Sequence, residues 1–190
     1  MQNVFFMKEP IANAENNVSL ITLTQKQLKP ALSLTISTCL AQEQKSIILV
    51  SLTQEGKEIM NSIPEKKLGR IKVIDAFSKD GKPDANIAII NNPADLTNIQ
   101  IAIEKAEHSL PGKKILIIDA LNVFSIYMKN EALGKFIHIF TNKIRLEEKT
   151  AMLFTVKEST DPELLDTLTE FADKTYDYSA TFISEINLGE

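Results

Sequence analysis

Six short apolar runs recur along the 190-residue chain, and several of them are continuous stretches of Ile, Leu and Val. They occupy residues 18–23, 46–52, 71–76, 87–90, 115–119 and 151–156. A strand with one face in water alternates apolar and polar residues, whereas a continuous run is typical of a strand covered on both faces. The runs therefore predict a buried, mostly parallel sheet with helices on either side.

Longer segments with a helical period lie between these runs. They are residues 30–42, 94–110, 131–147 and 161–172, with a shorter polar helix predicted over 55–61. Asp161 followed by Pro162 is typical of a helix start, with the acid as N-cap and the proline in the first turn. Pro30 is placed in the first turn of helix 30–42 for the same reason.

The order of strands and helices predicts a doubly wound, three-layer α/β/α sandwich formed by a single domain over residues 1–190. Residues 1–17 are predicted to be an N-terminal extension. Residues 175–178 and 180–186 are predicted to form a last strand or a hairpin at the sheet edge, and residues 187–190 a frayed tail.

Composition narrows the classes of partner and compartment. The formal net charge of -4 argues against broad attraction to nucleic acid or anionic lipid. Cys39 is the one cysteine, so no internal disulfide forms, and we expect it to be a buried small hydrophobe in a reducing compartment. No run approaches the roughly 18–20 apolar residues of a membrane span, and the first residues lack a secretory signal. The predicted location is cytoplasmic.

The turn after the first predicted strand is where a phosphate-binding loop of pattern G-x-x-x-x-G-K-[ST] would stand. Its glycines let backbone N–H groups wrap the phosphates, its lysine reaches them, and its hydroxyl binds magnesium. Residues 23–30 read Leu-Thr-Gln-Lys-Gln-Leu-Lys-Pro. Lys29 stands at the lysine position, but Leu23 and Leu28 replace the glycines and Pro30 the hydroxyl residue. Lys29 is therefore predicted to be a vestigial nucleotide-binding residue at most.

Asp119 follows four apolar residues, the pattern of a Walker B strand whose carboxylate orients magnesium. It is the second vestigial nucleotide-binding candidate, and the alternative is that it caps the segment 120–127. ATPases of this architecture often carry a glutamate after the second strand, where this chain has Thr53 and Gln54. Asp75, at the end of the third strand, is predicted to cap a loop.

Taken in order, these segments resemble the KaiC/GvpD-type group of RecA-superfamily ATPase domains in a degenerate form, over about residues 18–178. The interval from Lys29 to Ser51 is similar to that group's spacing between P-loop lysine and second strand. Residues 115–121 resemble its Walker B strand and the following turn, and residues 136–147, 151–156 and 168–178 its later helix, strand and closing segment. The resemblance implies a RecA-like, P-loop NTPase-like fold, and the missing glycines and acid mean that its activity is not carried over.

The leading hypothesis is a non-catalytic RecA/KaiC-like protein that acts through protein–protein association. Its partner would be a second copy, in a homo-oligomer, or an active ATPase relative, in archaeal-type regulation or signalling. No catalytic residue, metal ligand or cofactor is predicted. His108 and His138 are assigned to surface or packing roles.

Two alternatives remain. One is a nucleotide- or anion-binding protein without hydrolysis, which would use the region around Lys29 and Asp119. The other is an unrelated α/β enzyme, although the sequence lacks a G-x-G-x-x-G fingerprint, a nucleophile elbow and a metal cluster.

Overall fold

Seven strands form one sheet in the computed structural model, which describes residues 7–180. The strands are β1 (Val18–Leu23), β2 (Lys45–Ser51), β3 (Ile71–Asp75), β4 (Ile87–Ile89), β5 (Lys113–Ile118), β6 (Thr150–Val156) and β7 (Lys174–Asp177). The α-helices are α1 (Lys8–Ala12), α2 (Gln25–Ala41), α3 (Gly56–Asn61), α4 (Leu96–Ser109), α5 (Leu121–Phe124), α6 (Asn130–Leu146) and α7 (Pro162–Phe171). Two 3-10 helices cover Glu65–Arg70 and Lys157–Ser159.

The strands are ordered β4-β3-β2-β5-β6-β1-β7, and neighbouring strands all run parallel. Each predicted apolar run coincides with one of the first six strands to within two residues at either end. The parallel sheet inferred from the continuous runs is therefore confirmed, and every pairing is parallel rather than most of them.

Side chains of successive strand residues enter two separate cores. On β2, Ile47 and Leu49 pack with α1, α2 and α3, whereas Ile48 and Val50 pack with α4, α5, α6 and α7. All four side chains are fully buried. Helices thus cover both faces of the sheet, which confirms the three-layer α/β/α sandwich.

The start of α2 differs from the prediction. The helix begins at Gln25, so Pro30 is its sixth residue and lies in the helix interior, not in the first turn. A proline there cannot donate to the carbonyl of Lys26 and costs about 3 kcal/mol. Burial of Leu28 and Leu32, each at most 3% exposed, offsets that cost.

Pro64 and Gly69 predict that the polar stretch before β3 ends in a loop, but residues 65–70 form a 3-10 helix. Its last residue, Arg70, reaches the C-terminal end of α2. The guanidinium donates hydrogen bonds to the carbonyls of Leu40, Gln42 and Lys45 at 2.6–3.2 Å. Leu40 and Gln42 lie at the C-terminal end of α2, where carbonyls lack partners within the helix and a cation is favoured, whereas Lys45 begins β2.

The predicted N-terminal extension contains α1, a helix that packs against α2. Met7 and Ile11 are buried in the same core as α2. At the other end, β7 pairs in parallel with β1, and it is the last strand of the described residues, at the edge of the described sheet. The predicted partner segment from residue 181 onward and the frayed tail at 187–190 lie outside the described residues.

Asp161 is the N-cap of α7, as predicted, and its carboxylate accepts hydrogen bonds from the backbone N–H groups of Glu163 and Leu164. No helix within residues 7–180 is long and apolar enough to cross a membrane.

Cys39 is fully buried in α2, as expected for a small hydrophobe. Burial raises the pKa of its thiol to about 11, against a smaller lowering by Lys45. Because the thiolate is the reactive form, we expect the native protein to resist a disulfide reagent such as dithionitrobenzoate at pH 8. Unfolding in urea should make one thiol per chain reactive, and rapid labelling of the native protein would contradict this placement.

Gly112 precedes β5 with a φ of 64°, and a Cβ at this position would collide with the carbonyl oxygen of Gln44. That carbonyl also accepts the N–H of Lys113 at 2.9 Å. We therefore expect Gly112→Ala to lower the free energy of unfolding by about 1–2 kcal/mol or more, measured by urea titration. Gly69→Ala is the matched control, because no atom lies within 4 Å of its Cβ position. Equal losses of stability in the two variants would contradict the requirement for glycine at position 112.

Candidate functional site

The carboxyl end of β1 is a topological switch point of the sheet. From β1 the chain crosses over α2 on one face to reach β2, whereas from β6 it crosses over α7 on the other face to reach β7. Ligands of open parallel sheets bind in the crevice outside the carboxyl ends at such a point. A ligand site is therefore expected among the residues around the end of β1.

The connection between β1 and α2 consists of one residue, Thr24. Its backbone is extended, with φ -82° and ψ 162°. The side-chain oxygen of Gln27 accepts a hydrogen bond from the N–H of Thr24 at 2.8 Å, and the N–H of Gln27 donates to the carbonyl of Thr24 at 3.0 Å. The strand therefore passes directly into a capped helix.

The Gln27 side chain, only 4% exposed, lies beside the end of β1. Its amide nitrogen donates to the backbone carbonyl of Tyr178 at 3.0 Å, which joins α2 to the chain that follows β7. The amide of Gln27 thus uses both its oxygen and its nitrogen on the protein's own backbone.

An ion pair crosses the same end of the sheet. Lys157, which follows β6, lies with its Nζ 2.7 Å from a carboxylate oxygen of Asp177 at the end of β7. Since β1 lies between β6 and β7, this pair spans the end of β1. Partial burial of Asp177 raises its pKa, but hydrogen bonds from Lys157 and Ser179 outweigh that effect and lower the pKa below its ordinary value. Both members of the pair are about half exposed.

Lys29 lies on the second turn of α2 and is exposed. It lines a groove of about 420 Å³ between α2 and α3, together with Glu58, Lys67 and an apolar floor that includes Leu32 and Ile36. Leu23 and Leu28, at the positions of the missing glycines, are buried in β1 and α2. The segment 23–30 is therefore strand and helix, with a single linking residue.

Asp119 occupies a different environment, fully buried directly after β5. One carboxylate oxygen accepts the N–H of Leu52 at 2.7 Å. The other accepts hydrogen bonds from the hydroxyl of Ser51 at 3.0 Å, and from the N–H and hydroxyl of Thr53 at 3.2 and 2.7 Å. Burial raises the pKa of Asp119, and these hydrogen bonds oppose that rise only in part.

The four donors to Asp119 tie the end of β5 to the chain that leaves β2. The alternative prediction for Asp119, a cap on the helix that follows, is wrong, because α5 starts after Ala120 and has no side-chain cap. The partners of Asp119 were missed in the sequence. A sequence signal was available, because two hydroxyl residues, Ser51 and Thr53, lie at the end of the second apolar run. That run forms β2, the neighbour of β5.

Asp75 binds backbone in a similar way at the end of β3. It is 2% exposed and accepts hydrogen bonds from the N–H groups of Gly56, Phe77 and Ser78 at 2.7–3.0 Å, and from the Ser78 hydroxyl at 2.7 Å. These bonds fix the start of α3 and the loop after β3, so the predicted loop-capping role is confirmed.

Neither histidine belongs to this edge of the sheet. The Nδ1 of His108 lies 2.6 Å from the Glu104 carbonyl in the last turn of α4, and His138 stacks on Phe171 with ring centroids 4.7 Å apart. Across residues 7–180 no group of three His, Cys, Asp or Glu side chains is arranged to hold a metal ion.

Comparison with models of protein families and with curated proteins finds no match to this sequence. Solved structures do match. A KaiC-like protein of Pyrococcus horikoshii OT3 has a TM-score of 0.65 at 14% identity, covering 92% of this chain and 76% of its own. An uncharacterised P. horikoshii protein, in complex with an unknown peptide, has a TM-score of 0.62 at 12% identity, with coverages of 86% and 77%.

A solved ATPase domain also matches, with a TM-score of 0.55, 14% identity and coverages of 86% and 69%. At such low identities the likeness concerns the fold. The chain has the RecA-like α/β/α fold that KaiC-like and ATPase-domain structures share, as the resemblance in the sequence implied.

Proposed function

We propose that this chain is a RecA-like domain that does not hydrolyse nucleotide and acts by associating with other proteins. The observation that carries the proposal is the one-residue connection between β1 and α2. A phosphate-binding loop needs several successive backbone N–H groups that curve around the phosphates. A strand that enters a helix through Thr24 alone has no such loop.

The groups around this connection support the same proposal. The Gln27 amide and the Lys157–Asp177 ion pair occupy the end of β1, where a triphosphate would have to bind. Lys29 emerges from the second helical turn and lines the groove between α2 and α3. A nucleotide would therefore have to break the Gln27 bonds to reach the switch point.

The burial of Asp119 argues in the same direction. A magnesium-orienting carboxylate needs an oxygen directed at the ion or its water shell. Both oxygens of Asp119 are engaged by donors from β2 and its following loop, and the residue is inaccessible to solvent. Asp119 is best explained as an acceptor that holds two strand ends together.

Association with other proteins is supported by apolar side chains on the loops at this edge of the sheet. Phe77 after β3, and Ile126 and Tyr127 after α5, are 50%, 76% and 48% exposed. One structure of the same fold was solved with a peptide bound, although its sequence is only 12% identical. The partner would be a second copy or an ATPase relative.

Nucleotide binding is the first test. A ligand at about 100 times its Kd stabilises a protein by about 2.7 kcal/mol, which raises Tm by roughly 5 °C or more in a chain of this size. We expect ATP or ADP with magnesium at millimolar concentration to raise Tm by less than about 1 °C. Calorimetric titration should likewise give no magnesium-dependent heat.

A magnesium-dependent rise in Tm, or release of phosphate from ATP, would refute the proposal. Lys29→Ala serves as the companion variant. If nucleotide raises Tm in the native chain and Lys29→Ala abolishes the rise without hydrolysis being detected, the chain is instead a nucleotide-binding protein that does not turn over its ligand.

The role of Asp119 is tested by Asp119→Asn. An amide cannot accept all four hydrogen bonds, so at least one buried donor loses its acceptor, and the free energy of unfolding should fall by about 1–3 kcal/mol in urea titration. Asp80→Asn, at an exposed position, is the control and should change stability by less than about 0.5 kcal/mol. Unchanged or increased stability in Asp119→Asn would favour a functional carboxylate over a structural one.

A further inference from the structure

Among residues 7–180 the sheet ends on one side at β4, which pairs there with β3 alone. Two bonds define which of its backbone groups face β3. Val73 donates its N–H to the carbonyl of Asn86, and Ile90 donates its N–H to the carbonyl of Asp75, both at 2.8 Å. In a parallel ladder the facing residues alternate, so the N–H and C=O groups of Ile87 and Ile89 face away from the sheet.

Asp84 covers the first of these two positions. Its side-chain oxygen accepts the N–H of Ile87 at 2.9 Å, and its own N–H donates to the Ile87 carbonyl at 3.0 Å. Native proteins commonly protect an exposed sheet edge in this way. Within residues 7–180, Asp84 protects the backbone groups of Ile87. The outward groups of Ile89, two residues further along β4, lie outside this protection.

A groove of about 720 Å³ lies beside this edge, between β4 and α4. The strand contributes Ala88 and Ile90 to it, and the helix contributes Ala102 together with Ile101, a side chain that is 41% exposed. Asparagines form much of the rim, and its charged residues, Lys72, Lys105, Asp84 and Asp95, balance one another, so the rim carries no strong net charge.

We propose that the edge of β4 and this groove bind an extended peptide segment of a partner protein as an added strand. Main-chain hydrogen bonds to Ile89 would give affinity, and the groove would take alternate side chains of the segment. The inference names a surface and a class of partner for the protein association proposed above, and it rests on that proposal.

The lining of the groove defines the chemistry of the segment. In an added strand every second side chain lies on the same face of the sheet as Ala88 and Ile90, toward α4. That face meets Ile101 and Ala102, so aliphatic side chains are expected at alternate positions. The mixed charges of the rim favour neither a strongly acidic nor a strongly basic segment.

A single substitution isolates the edge. In Ile89→Pro the outward N–H is lost while the bonds of Ala88 and Ile90 to β3 are kept, and proline is tolerated on edge strands where its nitrogen faces solvent. Ile89→Ala is the matched control, because it truncates the same side chain and keeps the N–H. Both variants are first compared with the native chain by Tm and by amide NMR spectra.

The probe is a phage-displayed library of random peptides of about ten residues, selected on the full chain and depleted on Ile89→Pro. Enriched peptides are synthesised, and their Kd values are measured by fluorescence anisotropy. We expect alternate aliphatic residues, amide shifts confined to β4 and α4, and binding at least about fivefold weaker to Ile89→Pro than to Ile89→Ala.

Peptide chemistry provides a second measurement that does not depend on how well Ile89→Pro folds. N-methylation at one alternate set of peptide nitrogens should abolish binding, and methylation at the other set should leave it intact. Equal sensitivity at both sets, equal affinity for the two Ile89 variants, or amide shifts at another surface would overturn the proposal. A β4–β4 dimer detected by sedimentation and broken by Ile89→Pro would also overturn it, since the occupant would then be a second copy.

The two proposals fail in different experiments. Magnesium-dependent nucleotide binding would refute the proposed function and leave peptide binding at β4 unaffected. If no selected peptide binds Ile89→Pro more weakly than Ile89→Ala, and nucleotide also has no effect, then β4 is excluded as the binding surface. The proposed association would then use another surface.

Discussion

The hydrogen bonds between Thr24 and Gln27 determine how the switch point of this sheet is used. They allow a single residue to connect β1 to α2, and the Gln27 side chain also bonds to the chain that follows β7. In this arrangement the polar groups at the end of β1 bind one another. The crevice that would receive a ligand in an open parallel sheet is part of the protein's own hydrogen-bond network.

The acids at the carboxyl ends of β3 and β5 are likewise bound by the protein's own groups. Asp75 and Asp119 are almost completely buried, and each accepts four hydrogen bonds from neighbouring loops. Carboxylates at the ends of parallel strands are often candidates for metal binding or catalysis. Here their lone pairs hold the loops that follow β2 and β3 in place.

The strands could be predicted because a parallel sheet buried on both faces requires continuous apolar runs, and these are visible without any tertiary information. The start of α2 differs from the prediction because the capping box of Thr24 and Gln27 begins the helix, and Pro30, a typical first-turn residue, lies in its interior. The contact of Gln27 with Tyr178 joins residues 151 positions apart, so no local pattern contained it. The partners of Asp119 were hidden for the same reason, since they depend on which strands are neighbours.

The position of β1 has a consequence for how the chain assembles. Both of its neighbours, β6 and β7, come from the last third of the sequence, so β1 is synthesised long before either strand that pairs with it. Until residue 150 is available, both edges of β1 lack the strands that pair with them. The topology therefore predicts slow, late closure of the sheet, with a partly folded species that is prone to aggregate during biosynthesis.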